Sequence, residues 1–152
     1  ADEAPFGLKT TEAPHYRRVR RQVAADSDGD NSPSAGRPSV IAGDGFAFVS
    51  HTGEVYPSGF LSQSVGTVPD DDVVDLYRSA PLFEALRDRA RLRGKCGACP
   101  FNEVCGGSRS RAFAHSGDPL ASDPLCGYVP PGYDGPLPWD EADGASASPG
   151  RP

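Results

Sequence analysis

All four cysteines of the chain fall in one stretch, KCGACPFNEVCGGSRSRAFAHSGDPLASDPLC, at Cys96, Cys99, Cys105 and Cys126. The spacing is C-x2-C-x5-C, then a gap of twenty residues, then the last cysteine. Thiols gathered in this way point to a single four-ligand site, and a tetrathiolate site suits zinc or an iron–sulfur cluster. Two disulfides or four unrelated buried thiols also satisfy the count. Disulfide frameworks belong to secreted chains, and the first twenty residues hold no apolar segment of the signal-peptide kind. Gly94, Gly97, Pro100, Gly106 and Gly107 surround the thiols and argue for a loop wrapped round something. The five-residue gap tilts the reading from zinc towards iron–sulfur, because zinc knuckles usually pair two short C-x2-4-C units. A zinc-ribbon-like structural or interaction module remains the alternative.

The chain has 152 residues, enough for one domain of ordinary size. With 18 Gly, 16 Pro and 37% hydrophobic residues, it predicts a small core and much loop. A bound metal group would offset so thin a core, since binding at a site absent from the unfolded chain is folding free energy. The net charge of -6 argues against general nucleic-acid affinity. No apolar run approaches the length of a membrane span, and cytoplasmic residence is the expectation. The absence of Met suggests a fragment of something longer.

In chain order, Tyr16 to Ala25 predicts a helix with Val19 and Val23 on one face. Its Arg17, Arg18, Arg20 and Arg21 read either as a solvated face or as a clamp for an anionic ligand. Residues 26–39 are polar and rich in Asp, Ser, Gly and Pro, as a linker or long loop is. Residues 45–61 predict a β-hairpin that turns at His51-Thr52-Gly53-Glu54, with Pro57 limiting the return strand to an edge. His51 reads as a polar turn residue before it reads as a ligand. Asp70, Asp71 and Asp72 precede a short helical turn and suit its N-terminus. Ser79 predicts the cap of a second helix carrying Leu82, Phe83, Leu86 and Ala90 on one face. Arg87, Arg89, Arg91 and Arg93 gather at its C-terminal end, and Gly94 closes it. Ser108 to His115 predicts one more short helix, broken at Gly117-Asp118-Pro119. Tyr128, Tyr133 and Trp139 are candidates for local packing, and residues from about 140 on read as disordered.

Four pieces, KTTEAPHYRRV, FVSHTGEVYPSGFL, DLYRSAPLFEALRD and the cysteine block, together resemble the C-terminal part of radical S-adenosylmethionine (radical SAM) enzymes with a SPASM-type extension. They cover most of residues 8–130, and GEVYPSG with CGGSRSRA is most similar to the haem- and peptide-modifying branch. The resemblance implies an auxiliary [4Fe–4S] cluster on Cys96, Cys99, Cys105 and Cys126. The full pattern holds a second cluster, but here Gly53-x4 ends on Ser58, the position four past Cys105 is Arg109, and no cysteine precedes Gly53. Only one cluster is therefore expected. The family's catalytic C-x3-C-x2-C motif is absent from these residues, as is its S-adenosylmethionine site. The chain alone is expected not to cleave S-adenosylmethionine, which belongs to the parent enzyme.

The expected fold is α+β: a small β-hairpin, helices and a Cys-rich loop domain around one metal cluster, after a remnant of a partial (β/α) barrel. The expected divisions are 1–24 for the barrel remnant, 25–40 for a linker, 41–130 for the SPASM-like domain and 131–152 for a largely disordered acidic tail. The expected role is electron relay or substrate anchoring. Lys95, Arg109 and Arg111 are expected near the cluster, where they would raise its potential. The expected partner is a missing radical SAM barrel or its split counterpart, with a peptide or tetrapyrrole substrate, and no nucleic acid or membrane.

Overall fold

The computed structural model describes residues 13–26 and 41–140. Residues 9–12 of the KTTEAP segment, most of the expected linker and the tail beyond 140 lie outside the described residues. Helix α1 runs His15–Asp26. Strands β1 (Phe48–Val49), β2 (Glu54–Tyr56) and β3 (Gly66–Thr67) follow, then α2 (Val73–Ser79) and α3 (Pro81–Arg87). A 3-10 turn (Arg89–Arg91), the single-turn α4 (Gly94–Gly97) and α5 (Arg109–Ser116) complete the order. No described helix is long and apolar enough to cross a membrane.

The sheet is antiparallel in the order β1-β2-β3, with Phe48 opposite Tyr56 and Val55 opposite both Val49 and Gly66. The hairpin turn is built by Ser50: its carbonyl accepts from Gly53 N, and its Oγ accepts from Glu54 N at 3.1 Å. Gly53 takes a φ of +88°, and a Cβ there would meet the Val68 carbonyl oxygen at 2.5 Å. The return strand β2 is the centre of the sheet and not an edge. Pro57 does not prevent this because the strand ends at Tyr56, so the missing proline N–H falls outside the ladder.

Asp72 caps α2, its carboxylate accepting from Val74 N and Asp75 N, while Asp71 accepts from Thr67 N. The Asp70–Asp72 run thus works as a cap and turn. Ser79 does not cap α3. It is the last residue of α2, where its hydroxyl bonds back to the Asp75 carbonyl, and Ala80 takes the cap position. With Pro81 in the first turn there is one N–H fewer to satisfy. Asp88 stops α3 and caps the 3-10 turn. That break rotates the chain, so Ala90 is exposed and Arg89 is buried, paired with Asp44 at 2.8 Å. Arg87 serves the end of α2 instead of its own helix, donating to the carbonyls of Tyr77 and Arg78.

Helix α3 presents two faces to two small cores. Phe83 packs with Val55 and Ala80, beside Val65, Val68 and Leu76, and meets Tyr77 edge-on at 5.2 Å. Ala85 and Leu86 join Leu61, Leu92 and Leu120. Leu92 precedes the cysteine block and Leu120 lies inside it, so the block is anchored on this second core. Arg93 N donates to the Leu120 carbonyl, and the Arg93 side chain pairs with Asp118.

Candidate metal centre

The thiols come from four different local structures. Cys96 lies in α4, whose backbone is pinned where Lys95 N donates to Ser122 Oγ at 2.9 Å. Gly94 opens α4 rather than closing the preceding helix. Its φ is +55°, and a Cβ would lie 2.4 Å from Ser122 Oγ. Cys99 begins the following turn, Cys105 ends it with its N–H on the Phe101 carbonyl, and Cys126 closes the Asp123 turn. All four line one pocket, with empty space of about 320 Å³ including its mouth. Arg18, Lys95, Asn102, Gly106, Gly107 and Tyr128 supply the rest of its wall. All four cysteines are free thiols, so no disulfide joins them.

Backbone N–H groups point at the sulfurs. Phe101 N donates to Cys99, Gly107 N to Cys105 and Tyr128 N to Cys126, each two residues on. Asp123 N donates to Cys96 Sγ at 3.3 Å. Gly107 makes the closest approach possible: its φ is +65°, and a Cβ would sit 3.1 Å from Cys96 Sγ and 2.6 Å from Arg109. Burial pushes the Cys99 and Cys105 thiols up, and the other thiols add to that rise. Burial acts the same way on Cys126, but hydrogen bonds from His15 and Tyr128 N, with the His15 and Lys95 charges, bring it below its ordinary value.

Two buried cations stand by the sulfurs. Arg109, 1% exposed, donates to the carbonyls of Pro119 and Ala121 and reaches Cys96 Sγ at 3.6 Å. Lys95, 2% exposed, gives its ammonium to the Cys126 carbonyl, and the Trp139 ring covers it at 3.9 Å. The acidic tail from 131 returns to the site as far as Asp140, with Trp139 on Lys95 and the Pro138 carbonyl on His115 Nε2. Arg111 grips Asp123 with Nε at 3.1 Å and Nη2 at 2.8 Å. Ser58 is buried in a tight turn, where its Oγ accepts from Phe60 N, and His51 is exposed at the hairpin tip.

His15 and Asp123 carry the part of the site that the sequence reading missed. Asp123 is fully buried and accepts from Ser108 N, Leu125 N, Arg111 and His15. Burial alone would raise its carboxyl, yet the His15, Arg111 and Ser108 hydrogen bonds hold it well below the carboxylate range. The Asp123 hydrogen bond, then one to Cys126, raises His15 to about 9, so the imidazole is protonated at neutral pH. The available signal was a polar stripe at helical spacing, His15, Arg18 and Gln22, on the inner side of α1. Val19 and Val23 are instead 44% and 59% exposed.

Among the described residues, no three His, Cys, Asp or Glu side chains converge as they would on a single metal ion. The donor set nevertheless fits a polynuclear iron–sulfur group: four unbridged thiols ring a pocket with backbone N–H donors and cations on its wall.

No family model matches the chain. It is 40% identical over 128 residues to the AdoMet-dependent heme synthase of Nitratidesulfovibrio vulgaris, covering 81% of this chain and 35% of that protein. It is 40% identical over 89 residues to the pre-heme d1 synthase of Dinoroseobacter shibae, covering 56% of this chain and 22% of the relative. It is 34% identical over 91 residues to the PqqA peptide cyclase of Methylocella silvestris, covering 57% and 24%. The chain thus spans about a third of the length of the first of these curated relatives. The chain is accordingly a relative of radical SAM enzymes with SPASM-type domains, in the haem- and peptide-modifying branch.

Proposed function

We propose that this chain is the SPASM-like auxiliary-cluster region of a radical SAM enzyme, holding one [4Fe–4S] cluster on Cys96, Cys99, Cys105 and Cys126. The observation that carries this reading is the single pocket lined by all four free thiols. A ring of thiols around a cavity suits a polynuclear group better than one zinc ion, which asks four sulfurs to meet at about 2.3 Å from a common point. When bound, such a cluster supplies one-electron redox chemistry. With every iron on a thiolate there is no open coordination position, so electron relay or rigid support of a neighbouring substrate site is the role that fits.

The residues have separable tasks in this reading. Phe101, Gly107 and Tyr128 aim backbone N–H groups at Cys99, Cys105 and Cys126 and favour their thiolate forms, and Asp123 N donates to Cys96 Sγ. Arg109 fixes the Pro119–Ala121 loop against Cys96, and Lys95 fixes the carbonyl of Cys126. Tyr128 lines the pocket, backed edge-on by Phe101, and Trp139 covers the Lys95 ammonium. Cleavage of S-adenosylmethionine requires a barrel with the C-x3-C-x2-C motif, which these 152 residues do not contain. The partner of this region is therefore such a barrel, and the substrate class is a tetrapyrrole or a peptide, following what the names of the relatives state.

The test is anaerobic purification with iron, sulfide and zinc analysis and an absorption spectrum, on the wild type and Cys105→Ser. About four irons per chain, with a broad band near roughly 400 nm that is lost in the variant, is the expected result. One zinc per chain and no colour would overturn the redox reading.

A further inference from the structure

Arg18 stands on α1, far from the cysteine motif in sequence, yet its side chain lines the cysteine pocket. Two contacts fix it there. Its guanidinium carbon lies 4.7 Å from the centroid of the Tyr128 ring, and its Nη1 donates to Gln22 Oε1 at 2.5 Å, one turn along the helix. Tyr128 in turn meets Phe101 edge-on at 5.8 Å. The three side chains form a stack beside Cys99 and Cys126, whose sulfurs receive the N–H groups of Phe101 and Tyr128.

One atom of this arrangement is unexplained by the protein itself. Arg18 Nε is buried and, among the described residues, has no hydrogen-bond partner. Buried donors are satisfied as a rule, because an unmet one keeps its full desolvation cost. The other cations at the pocket are committed, Lys95 to the Cys126 carbonyl and Arg109 to the carbonyls of Pro119 and Ala121. A cluster held by four thiolates brings what Nε lacks: sulfur acceptors and net negative charge.

We propose that Arg18 is a positioning residue for the group held by Cys96, Cys99, Cys105 and Cys126, its Nε–H donating to a sulfur of that group so that α1 becomes one wall of the centre. This rests on the iron–sulfur reading. Reduction by an external one-electron donor makes the centre more negative by one charge, with no proton or bond change required. A cation and N–H in contact with sulfur stabilise that reduced state more than the oxidised one. Arg18 therefore raises the reduction potential, and does so from a helix outside the cysteine block.

The experiment uses the full chain, loaded anaerobically with iron and sulfide and titrated potentiometrically with dithionite, absorption and electron paramagnetic resonance being followed. Arg18→Gln, Arg18→Lys and Arg21→Gln are compared with the wild type; Arg21 is exposed on the same helix and loses the same charge. Arg18→Gln is expected to keep its iron and to titrate at a lower potential. Arg18→Lys, which keeps the charge but not the planar Nε–H, is expected in between, and Arg21→Gln at the wild-type value. An iron-loaded Arg18→Gln with the wild-type potential overturns the proposal, and so does an equal shift in Arg21→Gln, which would make the effect one of net charge. Should Arg18→Gln fail to load, Arg18→Lys decides: a lowered potential supports the contact, an unchanged one overturns it. A wild-type chain that takes up no iron overturns the iron–sulfur reading itself, and the proposal with it.

Discussion

His15 Nε2 and Asp123 Oδ2 lie 3.0 Å apart across 108 positions of sequence, and this pair joins α1 to the turn that carries Cys126. Asp123 is the hub. Its carboxylate also takes the N–H groups that start α5 and precede Cys126, and its own N–H reaches Cys96.

Asp123→Asn should therefore be costly although it preserves shape. It removes the carboxylate that raises His15 and that Arg111 grips through two nitrogens, and puts a neutral amide in its fully buried place. We expect a loss of about 2–4 kcal/mol in urea unfolding of the full chain, by analogy with the removal of one partner of a buried pair. His15→Gln should cost only about 1 kcal/mol, because the ring is partly exposed and amide hydrogen bonds can replace part of its own. A smaller loss in Asp123→Asn than in His15→Gln would show that the hub is elsewhere.

Gly53→Ala is expected to destabilise the hairpin by about 1–3 kcal/mol, through both the left-handed backbone and the approach to the Val68 carbonyl. Gly45→Ala is the matched control. It shares a positive φ of +88° but has open space around its Cβ, so it should cost about 1 kcal/mol. Equal losses in thermal melts would mean that the contact with Val68 contributes nothing.

Arg109→Lys keeps the charge but cannot reach two carbonyls and Cys96 Sγ with one planar head. The Pro119–Ala121 loop should loosen, seen as faster amide exchange at Leu120, with a stability loss of about 2–3 kcal/mol. Unchanged exchange there would place the loop's support in Asp118 and Ser122 alone.

Stripping iron from the loaded chain with a chelator and oxidant should lower its melting temperature and slow its refolding, because the metal group binds a site the unfolded chain does not have. The same treatment of Cys105→Ser, which should not hold the cluster, is expected to change nothing.

Much of the local structure is legible in the residues alone. The spacing of Cys96, Cys99, Cys105 and Cys126 suggests that they gather, and all four line one pocket. Gly53 marks the hairpin turn, Asp72 the start of α2, and Ser108 with Gly117 the two ends of α5. Each of these is a short-range matter of φ, capping or ligand spacing, and such rules act over a few residues. Where local rules compete, the reading slipped: Ser79 looks like a cap but bonds back to Asp75, and Ala90 fits the α3 stripe only if Asp88 does not break the helix.

What surrounds the thiols is set by packing between distant segments. Nothing local distinguishes His15 or Arg18 from the solvated residues of a basic helix, nor Asp123 from an ordinary Asp-Pro turn. Their roles arise because α1 lies against the Cys126 turn, where burial removes water and leaves a carboxylate, an imidazolium and a guanidinium to satisfy one another and the sulfurs. Strand β2 became central for the same kind of reason: Gly66–Thr67, with no strand pattern of its own, pairs with it once Phe83 and Val55 close the core beneath. Charge pairing and pairing order depend on what folding brings together, and a linear chain does not display that.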